Sequence, residues 1–320
     1  MCFGFDGDGA LRESLEKKGM SRRGVFSAIG LTAGAAGLAS VPGLAPAAAA
    51  AAPAKAEQGG GTVPKNKISI QLYSLRSVMT GDGINETLSA LGEIGYPRVE
   101  LAGLYGRTAK EMRRTLDRRG LRASSSHDGI SASRQELATK LDNAEILGQK
   151  YMVVPYLNSD LREDWQRWAE QMNVEAEAAR RRGIAYGYHN HAHEFTTDFG
   201  DGTTPWDVLT SELDPRFVHL EVDLYWAVTG GINLGLNPAN ATTFAIGVIH
   251  QAPQKVRQYH VKDRDAATGD MADLGTGVID FRPIFASHQV EEYIVENDTP
   301  DVTPLQTADV GYSYLRRVRF

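Results

Sequence analysis

What most constrains this chain is a repeat of pattern. From residue 67 onward, short apolar runs alternate with longer stretches of helical spacing, eight times over. Apolar positions recurring every three or four residues mark helices; brief apolar runs bounded by turn residues mark strands. This spacing predicts strands at 68–73, 98–101, 121–126, 151–155, 184–189, 218–224, 256–261 and 293–295. The interleaved helices are expected at 85–94, 109–119, 133–147, 164–182, 205–213, 244–252, 281–287 and 304–316. Gly95, Gly120, Gly148 and Gly183 stand just past four of them, where a residue that accepts the left-handed conformation stops a helix. Regular βα alternation builds a parallel sheet covered by helices. Eight such units fit an α/β fold of the closed (β/α)8 TIM-barrel type. The competing architecture is an open, doubly wound sheet, which no Gly-x-Gly-x-x-Gly after the first strand supports. No linker interrupts residues 67–320, so they form a single domain, and the Gly/Asn-rich stretch 230–243 reads as an inserted loop.

Residues 1–54 do not join this pattern. Arg22 and Arg23 precede a weakly apolar run rich in Ala, Gly, Leu and Val, then an alanine tract and Ala52-Pro53-Ala54, a small-x-small cleavage site. Order and composition resemble a disordered twin-arginine export signal, with 55–66 as a linker. The expected location is therefore periplasmic or extracellular, with the twin-arginine translocase as a partner and no membrane contact beyond the signal. The run is too interrupted to make a comfortable membrane span. Cys2, the single cysteine, falls within this segment, so the domain must stand on its core without disulfides. The net charge of −6 argues against nucleic-acid binding, which needs a concentrated basic face.

Side chains alternate faces along a strand, so residues of one parity share a face. One parity here is polar: Gln71, Glu100, His127, His189 and His191, Glu221 and Asp223, His260 and Lys262, and Glu296. The other parity is apolar, as in Leu220, Val222, Leu224, Tyr259, Val261, Tyr293 and Val295. In a closed barrel the polar set points inward and gathers at the C-terminal mouth, where such barrels place their active sites. A buried, isolated charge is costly unless it is paired or bound to a cation. Any one of these side chains could be a hydrogen-bonded core residue; the repeated strand-end placement favours a shared cation. The mixed carboxylate and imidazole donors suit one divalent metal: Mn, Co, Mg, Fe or Zn. His189, His191 and His193 alternate as if to bind a metal themselves, although the strand is expected to give way to loop near Ala192.

These motifs resemble the xylose isomerase-like TIM barrels, often labelled sugar phosphate isomerase/epimerase. The resemblance spans about 68–320. It rests on Gln71-Leu72-Tyr73-Ser74-Leu75-Arg76, Tyr188-His189-Asn190-His191 with Glu194-Phe195, Asp223-Leu224-Tyr225-Trp226, His260-Val261-Lys262-Asp263, Gly275-Thr276-Gly277-Val278-Ile279-Asp280 and Val295-Glu296. It implies a metal held by Asp223, His260, Glu296 and a fourth group, Glu194 with His189 as its rival. It also implies proton transfer next to a carbonyl, through an enediolate that the metal stabilises. Glu296 and either Glu194 or His189 would be the acid/base pair, with Lys262 beside the oxyanion. Glu100, His127, His191 and Trp226 would contact a small-molecule carbohydrate; Trp226 fits packing equally well. The implied activity is isomerisation or epimerisation of a sugar or keto-sugar. The alternative is a dehydratase or lyase acting on a keto-inositol or 3-keto-glycoside, since the His-x-His of the fifth strand resembles the inosose dehydratase branch. A sugar-binding protein without turnover is the second alternative. Acidic charge and export disfavour an endonuclease. Export also suits glycosides better than phosphorylated sugars, and no Gly-rich phosphate cradle is present.

Overall fold

In a computed structural model, which describes residues 60–300 and 302–320, the eight expected strands close into a ring. The expected export signal (1–54) and most of the 55–66 linker's first half lie outside the described residues. The strands are β1 (Ile68–Ile70), β2 (Arg98–Leu101), β3 (Arg122–Ser126), β4 (Tyr151–Val154), β5 (Ala185–His189), β6 (Val218–Asp223), β7 (Val256–Val261) and β8 (Glu292–Val295). Parallel ladders join β4, β5, β6, β7, β8 and β1 in that order, and another joins β2 to β3. Single parallel bridges, Gln71 to Glu100 and His127 to Val153, close the two seams. The open-sheet alternative is thereby excluded.

Helices α1 (Gly83–Ile94), α2 (Ala109–Asp117), α3 (Arg134–Leu147) and α4 (Arg162–Arg181) return the chain from β1 to β5. A short turn, α5 (His193–Thr196), and α6 (Pro205–Glu212) lead to β6. Beyond β6 come α7 (Leu224–Asn233) and α8 (Pro238–Gln251); α9 (Phe281–Ser287) and α10 (Pro304–Arg317) complete the ring. Their starts are chemically marked. Thr108 with Glu111, Thr204 with Asp207 and Thr303 with Gln306 form reciprocal capping boxes, each satisfying backbone donors that the first turn leaves free. Gly95 (φ 112°) ends α1 in the left-handed region, open to glycine without a Cβ penalty.

One expectation is corrected. Residues 230–243 are not an inserted loop: they span the end of α7 and the start of α8, which pack against each other. Their glycines serve close packing. A Cβ on Gly231 would stand 3.1 Å from Ala241, and one on Gly230 would stand 2.8 Å from the Phe195 ring. The outward parity of the strands (Val99, Leu220, Val222, Tyr259, Val261) joins the helices in an apolar core. Burial of each such side chain stabilises the fold by about 1.5–3 kcal/mol. The inward parity is mostly polar, with Val153 and Ile294 as apolar exceptions. At the floor, His219 meets Gln258 at 2.9 Å and Ser124 meets Glu292. Gly187 lacks a side chain because a Cβ there would meet the His219 imidazole at 2.6 Å.

Candidate functional site

Six strand ends deliver the polar residues of the mouth. Asp223 terminates β6 and caps α7, its Oδ1 accepting from Trp226 N at 2.8 Å. His260 comes from β7, and Lys262 and Glu296 follow β7 and β8. His189 ends β5, Glu100 lies in β2 and His127 follows β3. The structure brings Asp223, His260 and Glu296 together, with one ligand-type atom from each within 4.8 Å of the others. A second group of the same kind, His127, His189, Glu221 and His260, adjoins it and shares His260.

The donor pattern can be read atom by atom. His260 Nδ1 lies 2.6 Å from Glu296 Oε2, and its Nε2 lies 2.6 Å from Glu100 Oε2 and 3.0 Å from Glu221 Oε1. His127 Nε2 reaches the same Glu221 oxygen at 2.9 Å. His189 Nδ1 lies 3.2 Å from it, and His189 Nε2 faces Asp223 Oδ2 at 3.6 Å. Lys262 Nζ stands 2.9 Å from Asp223 Oδ2 and 2.5 Å from Glu296 Oε2. Gln71 Nε2 donates to Glu100 at 2.9 Å, so the seam between β1 and β2 closes on a site residue.

Electrostatics follow from this crowding. Burial opposes charge on the His260 ring, but Glu221, Glu296 and Glu100 raise its pKa well above the ordinary imidazole value. Burial opposes ionisation of Glu296, but Lys262 and His260 hold its carboxyl well below the usual range. Glu221 behaves likewise, with His260 and the hydrogen bonds from His127 and His189 overcoming burial. Glu100 goes the other way: burial, then the neighbouring Glu221, raises it. Burial and His260 lower His189 to about 4, so its ring is neutral near pH 7. With Glu221 accepting from Nδ1, the bare nitrogen is Nε2, the one facing Asp223.

These residues suit a divalent cation. Four carboxylates, Glu100, Glu221, Asp223 and Glu296, are no more than 5% exposed, and their charge exceeds what Lys262 and the imidazoles return. Glu100 Oε1 and Glu221 Oε2 are buried without a hydrogen-bond partner, a costly arrangement in a low-dielectric interior. Two ligands about 2.1 Å from a tetrahedral cation stand about 3.4 Å apart, close to the 3.6 Å between His189 Nε2 and Asp223 Oδ2. Asp223, His260, Glu296 and His189 could therefore hold one cation. Glu221 would then orient both imidazoles from behind, as a carboxylate does for metal-bound histidine.

Glu194 requires a correction. Its Oε1 accepts from the Tyr188 hydroxyl at 2.6 Å and its Oε2 from His191 N at 2.9 Å. Tyr188 is on the outward parity of β5, and α5 begins at His193, so the backbone turns Glu194 away from the mouth and into the wall behind it. The structure gathers His189 with Asp223 instead. His191 and His193 also leave the strand line. The His191 ring packs 5.2 Å from Trp226, and His193 Nε2 pairs with the Leu157 carbonyl at 2.7 Å. The sequence shows Glu221 on the right parity but assigns it no role; only the three imidazoles converging on it reveal one.

Comparisons with known proteins agree with this fold. The pattern of the xylose isomerase-like TIM barrel matches residues 88–291. An inosose dehydratase of Geobacillus kaustophilus (strain HTA426) is 25% identical over 278 residues, covering 73% of this chain and 87% of that protein. The crystal structure of a sugar phosphate isomerase/epimerase from Parabacteroides distasonis ATCC 8503 superposes with a TM-score of 0.63 at 24% identity, covering 82% of this chain and 98% of that one. The IolI protein with a bound zinc atom superposes at 0.56 with 14% identity, covering 78% and 99%. At these identities the two structures establish the fold alone.

Proposed function

Because the chain belongs to the xylose isomerase-like TIM-barrel family, we propose that it is a metal-dependent enzyme that takes a proton from the carbon next to a carbonyl of a keto-sugar or keto-polyol and then expels a β-substituent. The observation that carries this reading is the convergence of Asp223, His260, Glu296 and His189 Nε2 at the barrel mouth, backed by Glu221. A divalent cation held there supplies Lewis-acid polarisation of a substrate oxygen. Glu296 is the proton acceptor, held at the mouth beside His260 and Lys262. Lys262 places an ammonium beside it, ready for charge that develops on the substrate. His127, with 12% of its side chain exposed, reaches solvent and stands as the acid for the departing group. Glu100 and His191 face the substrate. Elimination is preferred to isomerisation because the related Geobacillus protein is an inosose dehydratase. Isomerisation or epimerisation, in which the proton returns to the sugar, is the second reading, supported by the sugar phosphate isomerase/epimerase neighbour. Export through the twin-arginine route remains part of the proposal; a double Arg22→Lys, Arg23→Lys variant should then stay in the cytoplasm.

The test is turnover of the Mn²⁺-loaded protein in D₂O with inosose and with 3-keto-glucosides. Release of water or of the glycosidic substituent is expected, and Glu296→Gln should abolish it. Deuterium entering an intact or isomerised sugar without release would establish the isomerase reading. If neither occurs while sugar binding persists in Glu296→Gln, the chain is a sugar-binding protein.

A further inference from the structure

The mouth carries an aromatic wall that extends beyond the ionisable group. It begins at Trp226, whose ring lies 5.9 Å beneath the Lys262 ammonium and 4.7 Å from Tyr225. The His191 ring tilts against Trp226 at 5.2 Å, and Tyr156, in the loop after β4, stands edge-on to His191 at 5.0 Å and 89°. His193, held by the Leu157 carbonyl, backs Tyr156 at 5.4 Å. The wall thus runs around the rim from the β6 loop to the β4 loop, from the buried site towards solvent. Tyr156 at its end is 53% exposed, although two rings hold it from behind.

Two polar atoms in this wall have no protein partner. His191 Nδ1 and Trp226 Nε1 are both buried and unsatisfied, which is costly unless a ligand supplies the missing contacts. Aromatic faces with polar edges suit a carbohydrate, whose C–H surfaces are apolar and whose hydroxyls need partners. Size decides how much carbohydrate. A pyranose is about 3 Å across its ring atoms and, with a C–O bond of about 1.4 Å at each end, about 6 Å from one exocyclic oxygen to the opposite one. Two ring-to-ring steps of 5.2 and 5.0 Å separate Trp226 from Tyr156. One sugar ring seated by Trp226 and His191 therefore leaves Tyr156 uncovered.

We infer that Tyr156 forms a second subsite and that the substrate is a two-ring glycoside, its reacting sugar beside Trp226 and Lys262 and its glycosidic substituent stacked on Tyr156. This rests on the proposed sugar chemistry and narrows it: a free monosaccharide or an inosose fills only the inner part of the wall.

The test uses the full chain loaded with Mn²⁺ and equilibrium binding of non-reacting probes: methyl and 4-nitrophenyl glycosides of glucose, galactose and mannose, with cellobiose. The 4-nitrophenyl glycosides or cellobiose should bind at least about fivefold tighter than the matching methyl glycoside. Tyr156→Ala should remove that advantage and leave methyl glycoside binding unchanged, whereas Tyr156→Phe should keep it. Equal binding of one-ring and two-ring probes overturns the subsite while the sugar reading stands, as does a Tyr156→Ala loss that is the same for both. No binding of any probe by protein with an unaltered melting curve overturns the sugar reading, and the subsite with it.

Discussion

One oxygen of Glu221 accepts from three imidazoles, those of His127, His189 and His260. That arrangement makes Glu221 a positioning residue whose removal should act through the cation. Such partners typically contribute 10–100-fold to metal affinity, so Glu221→Gln should weaken Mn²⁺ binding by about 10–100-fold in chelator competition. Asp223→Ala and His260→Ala should each lose stoichiometric metal by elemental analysis, and metal retained in both would remove the proposed site. Glu194→Gln should keep its metal, because Tyr188 and His191 occupy its oxygens; loss of metal from the folded variant would return Glu194 to the ligand set. At this scale the sequence is informative about residue type and parity. It cannot separate His189 from Glu194, because their assignment depends on where the backbone leaves the strand, between Asn190 and His193.

Among the strands, β8 shows how an inward face can store a titration. Glu292 opens β8 at the barrel floor, bonded to Ser124 and 3.5 Å from Gln258 Nε2. Burial, only partly offset by Ser124, raises its pKa from 4.5 to about 7. Between those values the folded state binds more protons than the unfolded state, so this group's contribution to stability falls as pH rises. The full difference is roughly 3 kcal/mol at most. Urea unfolding at pH 5.5 and pH 8 should therefore show the wild type losing stability relative to Glu292→Gln at the higher pH; parallel profiles would refute this account. Element boundaries were legible where caps are explicit, as at Thr108 and Gly95. Residues 230–243 were not, because their Gly and Asn content signals loop while packing of Gly231 on Ala241 makes helix favourable.

For the whole molecule, the proposed cation would take its ligands from the ends of four strands, β5 to β8, so its occupancy should couple to global stability. At 100-fold excess over its dissociation constant, a ligand specific for the folded state adds about 2.7 kcal/mol. For a domain of this size that corresponds to roughly 5–10 °C in the melting midpoint. Melting in Mn²⁺ should exceed melting in EDTA by that margin, and the gap should vanish in Asp223→Ala. An unchanged midpoint despite measured metal binding would place the cation away from this junction.

The sequence by itself determined the eight βα units, the polar parity of the strands and the identity of Asp223, His260 and Glu296 as strand-end groups. These are local properties, written in spacing of two and of three to four residues. Tertiary structure alone decided that Gln71 and His127 close the seams, that Glu221 joins three imidazoles and that Glu194 turns away. Each of these depends on distances between strands far apart in the chain, and parity along one strand carries no information about which neighbour its side chain will meet.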